Sequence, residues 1–128
     1  MKLRKVYMWK LTPRGRGKVR YKYGTMDGRK RDSLDLLKRY PDINKRYHVE
    51  AWPSTRLPER EAYLLAGNLY DMYPPAHDNP NIEGMLTART LTTGEAITVG
   101  NEIKESGQQF WKQFNKKKRW NRRRPNWV

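Results

Sequence analysis

Hydrophobic and polar positions alternate with a period of two at the start of the chain, and this rhythm sets the expected order of elements. Val6-Tyr7-Met8-Trp9-Lys10-Leu11 and Val19-Arg20-Tyr21-Lys22-Tyr23-Gly24-Thr25 read as two strands joined across Pro13-Arg14-Gly15-Arg16-Gly17-Lys18, a hairpin with a long glycine loop. In the first strand Lys5, Tyr7, Trp9 and Leu11 share one face and Val6, Met8 and Lys10 the other. Apolar groups on both faces predict a central strand with a layer packed on each side. In the second, Val19, Tyr21 and Tyr23 share a face, with Arg20 and Lys22 opposite.

After the Asp27-Gly28 turn the rhythm changes. Leu34, Leu37 and Tyr40 follow helical spacing from Arg29 onward, and Pro41 is expected to stop that helix. Tyr47 to Trp52 alternates as a third strand, ended by Pro53. Ser54 or Thr55 offers an N-cap, and Pro58 and Glu59 suit a first helical turn. The second helix runs to about Tyr73, with Leu57, Ala62, Leu65, Ala66, Leu69 and Met72 as its apolar stripe, and Pro74-Pro75 breaks it. A rigid loop follows, whose His77 and Asp78 are a weak candidate metal pair. Val99, Ile103, Phe110 and Phe114 then mark a C-terminal helix that Gly100 and Gly107 weaken. The expected fold is α+β: a small three-stranded antiparallel sheet flanked by helices (residues 1–84), with a C-terminal helix and basic arm (residues 85–128).

Composition narrows the chemistry. With 128 residues the chain is one domain by size, and its 8 Tyr, 5 Trp and 2 Phe supply large buried areas. The absence of cysteine removes disulfides, thiolate nucleophiles and thiolate zinc sites. Two histidines leave any metal to rest mainly on carboxylates. No apolar run reaches the roughly 20 residues of a spanning helix, and no apolar signal region follows Met1-Lys2-Leu3-Arg4-Lys5, so a soluble, cytoplasmic setting is expected.

Charge carries the strongest functional signal. The net charge is +15, with 28 Lys and Arg against 13 Asp and Glu. Nine of the basic residues fall in 1–26 and eight in 106–128, where there are no acids. Two strongly positive ends therefore flank a nearly neutral centre. A polyanion explains this, because each neutralised phosphate releases counterions. Arg14, Arg16 and Lys18 of the hairpin loop are candidate phosphate contacts. So are Lys116, Lys117, Lys118, Arg119, Arg122, Arg123 and Arg124, with Trp120 and Trp127 interleaved for stacking. Nucleic acid is the expected partner, DNA ahead of RNA, and no membrane.

The order of elements resembles the GIY-YIG nuclease fold, closest to its phage-borne variants. Lys5-Val6-Tyr7 stands where Gly-Ile-Tyr would be, and Tyr21-Lys22-Tyr23-Gly24-Thr25 where Tyr-Lys-Ile-Gly-x-Thr would be. Arg29 or Arg31 falls where the family's catalytic arginine opens its helix, and Glu61 where its metal-binding glutamate sits. The likeness covers roughly residues 3–83 and implies metal-dependent endonuclease activity on DNA, in a phage or mobile element. Glu61 would hold Mg²⁺ or Mn²⁺. Tyr7 would take the proton of the attacking water, and Tyr21 or Tyr23 would position water or phosphate. Arg29 or Arg31 would steady the phosphorane-like charge. The family's asparagine has three candidates, Asn68, Asn79 and Asn81. The reading from a different class is a non-catalytic basic nucleic-acid-binding protein of a nucleoprotein particle, ribosome or virion.

Overall fold

The computed structural model describes residues 1–123, with side chains through Lys117. It is α+β, built on a four-stranded antiparallel sheet. Strand β1 (Leu3–Pro13) lies at its centre and β2 (Arg20–Asp27) pairs along one edge. Along the other edge β3 (Tyr47–Ala51) meets the second half of β1, and β4 (Thr55–Pro58) meets the first half, at Leu3 to Val6. Trp52, whose N–H donates to the Met8 carbonyl at 2.8 Å, carries the chain between them.

The fourth strand corrects the three-strand expectation. Thr55 to Pro58 were expected to cap and open the second helix; they extend the sheet instead. The helix α2 (Glu59–Met72) begins one residue after Pro58, which serves as its N-cap without a side-chain bond. A second correction concerns Pro41. The segment after β2 forms only a short 3-10 helix (Ser33–Arg39), opened by Asp32 accepting from the Leu34 N–H at 2.9 Å. Pro41 then starts the helix α1 (Pro41–Arg46) rather than ending one. Its fixed φ suits a first turn, where its missing N–H costs nothing.

Both faces of β1 are covered, as its two-sided apolarity predicts. Val6 and Met8 join Tyr21, Tyr23 and Leu57 beneath α2 and the long helix α3 (Thr93–Arg123), which contribute Ala62, Leu65, Leu69, Ala96, Val99 and Ile103. Tyr7, Trp9 and Leu11 pack on the other side with Met26, Ile43, Tyr47, Met85 and Ala88, beneath the 3-10 helix and α1. Trp9 Nε1 donates to the buried Ser33 hydroxyl at 3.1 Å, which fixes the 3-10 helix on this layer. Met72, expected in the α2 stripe, is exposed at the last turn.

The helix α3 opens on a capping box: the Thr92 hydroxyl accepts from the Glu95 N–H at 3.1 Å and Glu95 Oε1 from the Thr92 N–H at 2.9 Å. It then runs along the Trp52–Arg56 segment. Gly100 passes Trp52 and Pro53, Gly107 passes Thr55, and Trp111 Nε1 donates to the Arg56 carbonyl at 2.6 Å. The loop before it is stitched to β2, since Arg89 and Tyr21 exchange two backbone bonds at 2.8 Å.

Candidate nucleic-acid interface

The hairpin loop forms one wall of a groove. Antiparallel pairing of β1 with β3 sets Pro13 opposite Tyr47, so residues following Pro13 meet residues preceding Tyr47. Arg14 thus reaches the C-terminal end of α1. Its N–H donates to the Arg46 carbonyl at 2.9 Å and its Nε to the Asn44 carbonyl at 3.1 Å, satisfying carbonyls that a helix end leaves free. Gly17, at φ 146°, lets the chain fold back against Pro13; a Cβ there would stand 3.2 Å from Pro13 Cγ.

The result is a concavity of about 420 Å³ lined by Arg14, Arg16, Lys18, Arg20, Lys45 and Arg46, with no carboxylate in its lining. Arg20 is the fixed member, only 6% exposed. Its guanidinium donates to Asp78 Oδ1 at 3.2 Å, to Asn79 Oδ1 at 2.7 Å and to the Asp78 carbonyl at 3.3 Å. Among the described residues its Nε is buried without a hydrogen-bond partner. Lys18 also reaches Asp78, at 3.4 Å. Asp78 therefore anchors cations behind the groove, and Asn79 is spent on Arg20 and on the Ala88 carbonyl, at 2.8 Å.

The sequence singles out Arg14, Arg16 and Lys18, and the structure brings these together. It adds Arg20, Lys45 and Arg46. Lys45 and Arg46 belong to the last turn of a short helix, where basic side chains face the negative end of the helix dipole. The β1–β3 register is the signal that would have found them. In the C-terminal arm, α3 stays helical to Arg123, and Lys116 and Lys117 are exposed on it. The side chains of Lys118, Arg119, Trp120, Arg122 and Arg123, and all of Arg124 and Trp127, lie outside the described residues.

The proposed nuclease residues do not gather at one point. Tyr7 pairs with Gly24, so Tyr7 and Lys22 share a face, while Tyr21 and Tyr23 project from the other. Tyr23 donates its hydroxyl to the Leu69 carbonyl at 2.9 Å, and the Arg89 guanidinium lies 5.3 Å from its ring centroid. Tyr21 packs edge-on against Trp52. Arg29, 90% exposed at its side chain, pairs with Asp27 at 2.8 Å. The Arg31 side chain is exposed beside Arg56, its carbonyl accepting from Lys5 Nζ.

Glu61 is exposed in the first turn of α2. It stands nine residues before Tyr70, half a turn round the helix at about 3.6 residues per turn. Tyr70 and Tyr63 mark the flank that faces β2: the Tyr70 hydroxyl lies by Gly24, and Arg4, bonded to Thr25, covers the Tyr63 ring at 5.2 Å. Glu61 points off the opposite flank. Among the described residues no set of three carboxylates or histidines surrounds it. A lone carboxylate can hold Mg²⁺ together with waters and a substrate phosphate. Placed here, that ion and the Tyr7 phenol would not meet on one phosphate.

Tyr7 does open onto a cleft of about 550 Å³, which Arg4, Thr25, Arg39 and Tyr40 also line. Burial, then Tyr40 and Tyr70 beside it, pushes the Tyr7 phenol well above its ordinary pKa. That direction disfavours the phenolate a general base requires.

No protein-family model, curated protein or solved structure matches the chain. Among the described residues no helix is long and apolar enough to cross a membrane.

Proposed function

We propose that the chain binds the phosphate backbone of nucleic acid, DNA ahead of RNA, as a non-catalytic basic protein of a nucleoprotein assembly in the cytoplasm. The observation that carries this reading is the hairpin groove. Among the described residues six Lys and Arg converge on it without a lining acid, one of them a buried arginine whose Nε lacks a partner. Gathering like charges is unfavourable in the free protein, and phosphate oxygens relieve it while accepting from guanidinium forks. The arm of α3 adds sequence-independent grip.

Binding to a labelled duplex across a salt series tests this. Wild type should show a steep linear fall of log affinity with log salt. Arg16→Glu and Lys45→Glu should each weaken binding on any sequence and flatten the slope by about 0.9 for each phosphate left unneutralised. A salt-independent affinity, or charge reversals without effect, would reject the reading.

Phosphodiester hydrolysis is the second reading, favoured by Tyr7 lining a cleft with Arg4 and Arg39. Plasmid incubated with Mg²⁺ or Mn²⁺ decides between the two. The binding reading expects it intact. Nicking by wild type that Tyr7→Phe and Glu61→Ala each abolish would establish the nuclease instead.

A further inference from the structure

The molecule has a second cationic concavity, remote from the hairpin groove. Lys5, Arg31, Arg56, Ser54, Thr55 and Trp111 line a corner of about 420 Å³ where β1, β4 and α3 meet. Backbone carbonyls hold its cations in place. Arg56 Nε donates to the Gly28 carbonyl at 2.8 Å and its Nη2 to the Lys30 carbonyl at 3.1 Å, while Lys5 Nζ donates to the Arg31 carbonyl. Trp111 closes the wall through its bond to the Arg56 carbonyl. Among the described residues none of the three cations forms an ion pair. Lys5 and Arg56 are thus fixed side by side, with the exposed Arg31 side chain and Ser54 beside them and, among the described residues, no carboxylate in the lining. Hydroxyl and guanidinium donors converging in this way suit phosphate oxygens.

The spacing of the two concavities is set by one strand. Lys5 belongs to the corner and Pro13 leads into the groove, both on the same face of β1 by the two-residue period. Eight residues of extended chain separate them, about 26 Å at roughly 3.3 Å per residue. That span is of the same order as the ~34 Å of one duplex turn. The surface between them, the 3-10 helix and α1, presents exposed Lys38 and Arg39.

We propose that this corner is a second phosphate-binding site, and that groove and corner together straddle about one turn of a single double-stranded nucleic acid. The proposal rests on the binding reading above and adds its geometry. A strand-long spacer makes the second contact intramolecular, so affinity depends on whether the ligand is long enough to reach both sites.

Hairpin duplexes with stems of two lengths, about 6 and about 14 base pairs, test it at one low salt concentration, with unpaired single strands of the same lengths alongside; wild type should prefer the longer stem by roughly a hundredfold. Arg31→Glu is the decisive variant, because that side chain is exposed and makes no hydrogen bond among the described residues. It should cut the preference to the few-fold that extra binding positions supply, with an unchanged thermal melt. Arg16→Glu in the groove should weaken binding at both lengths. The straddling geometry is overturned if wild type shows only the statistical preference, if Arg31→Glu keeps the full preference, or if single strands bind as tightly as duplex. If wild type binds neither length, the nucleic-acid reading itself falls.

Discussion

Tyr70, from the last turn of α2, brings its hydroxyl to the space that a side chain on Gly24 would fill: a Cβ there would stand 2.8 Å from Tyr70 Oη and 3.6 Å from Tyr7 Oη. Glycine at this point of β2 thus admits two phenols from opposite layers. The crowding falls first on the far end of a ring that is 37% exposed and can swing outward. Gly24→Ala is expected to cost about 1 kcal/mol or less, and Gly24→Val more, within the ~1–3 kcal/mol typical of overpacking. Chemical denaturation of the two variants checks the order.

Gly107 has no such latitude. A Cβ there would overlap the Thr55 hydroxyl and stand 2.7 Å from Thr55 Cβ, forcing α3 off β4. Gly107→Ala should lower the melting temperature even though alanine improves intrinsic helix propensity by about 1 kcal/mol. Adding Thr55→Gly should recover most of the loss. A double-mutant cycle that showed the two changes to be additive would refute the steric coupling.

Lys22 gives the fold a measurable alkaline response. It is 7% exposed, its Nζ lies 5.3 Å from the Tyr40 ring centroid, and burial, then Arg89, lowers its pKa to about 8. Below that value the amine is charged in both states and its burial is a penalty. Between about pH 8 and 10 the folded chain releases the proton while the unfolded chain keeps it, so stability rises with pH, by about 2–3 kcal/mol at most. Above about pH 10 the phenols of Tyr7, Tyr23 and Tyr70, all pushed up by burial, oppose further gain. Urea titrations at pH 7, 8.5 and 9.5 should show the rise in wild type and a smaller one in Lys22→Met, where burial still lowers the pKa of Lys5; the variant should also be the more stable protein at pH 7.

Asp78 is a carboxylate competing for the groove's own cations. Its hydrogen bond from Arg20, with Lys18 adding to it, holds the carboxyl at about 2, so the charge persists under mildly acidic conditions. Asp78→Asn keeps an acceptor for Arg20 and removes the charge. Duplex affinity should rise about threefold to fivefold, chiefly through faster association. Affinity unchanged or reduced would mean that phosphate does not approach from this side.

The period-two and helical patterns disclosed β1, β2, β3, α2 and α3, because each buries a face whose spacing is written in Val, Leu, Met and Tyr. The break at Pro41 misled, since proline both ends and begins helices and the sequence alone does not say which. Thr55 to Pro58 was hidden for a similar reason: three of the four residues serve equally at a helix start. The groove was half visible, through Arg14, Arg16 and Lys18, whereas Lys45 and Arg46 reach it only through the β1–β3 register. Arg20 and Lys22 were placed correctly, opposite the tyrosines, but their burial depends on the loop carrying Asp78 and Arg89. Glu61 carries the same lesson, because a position at the edge of an apolar stripe does not tell which flank faces the hairpin.

The paired backbone bonds between Arg89 and Tyr21 reach beyond the site. The sheet's outermost strand would otherwise offer a bare row of amides and carbonyls to any neighbouring molecule. Closing that row at Tyr21 interrupts it near one end of the strand, which shortens the template a second chain could extend. A second copy adding along this edge would thus find fewer free amides and carbonyls to pair with.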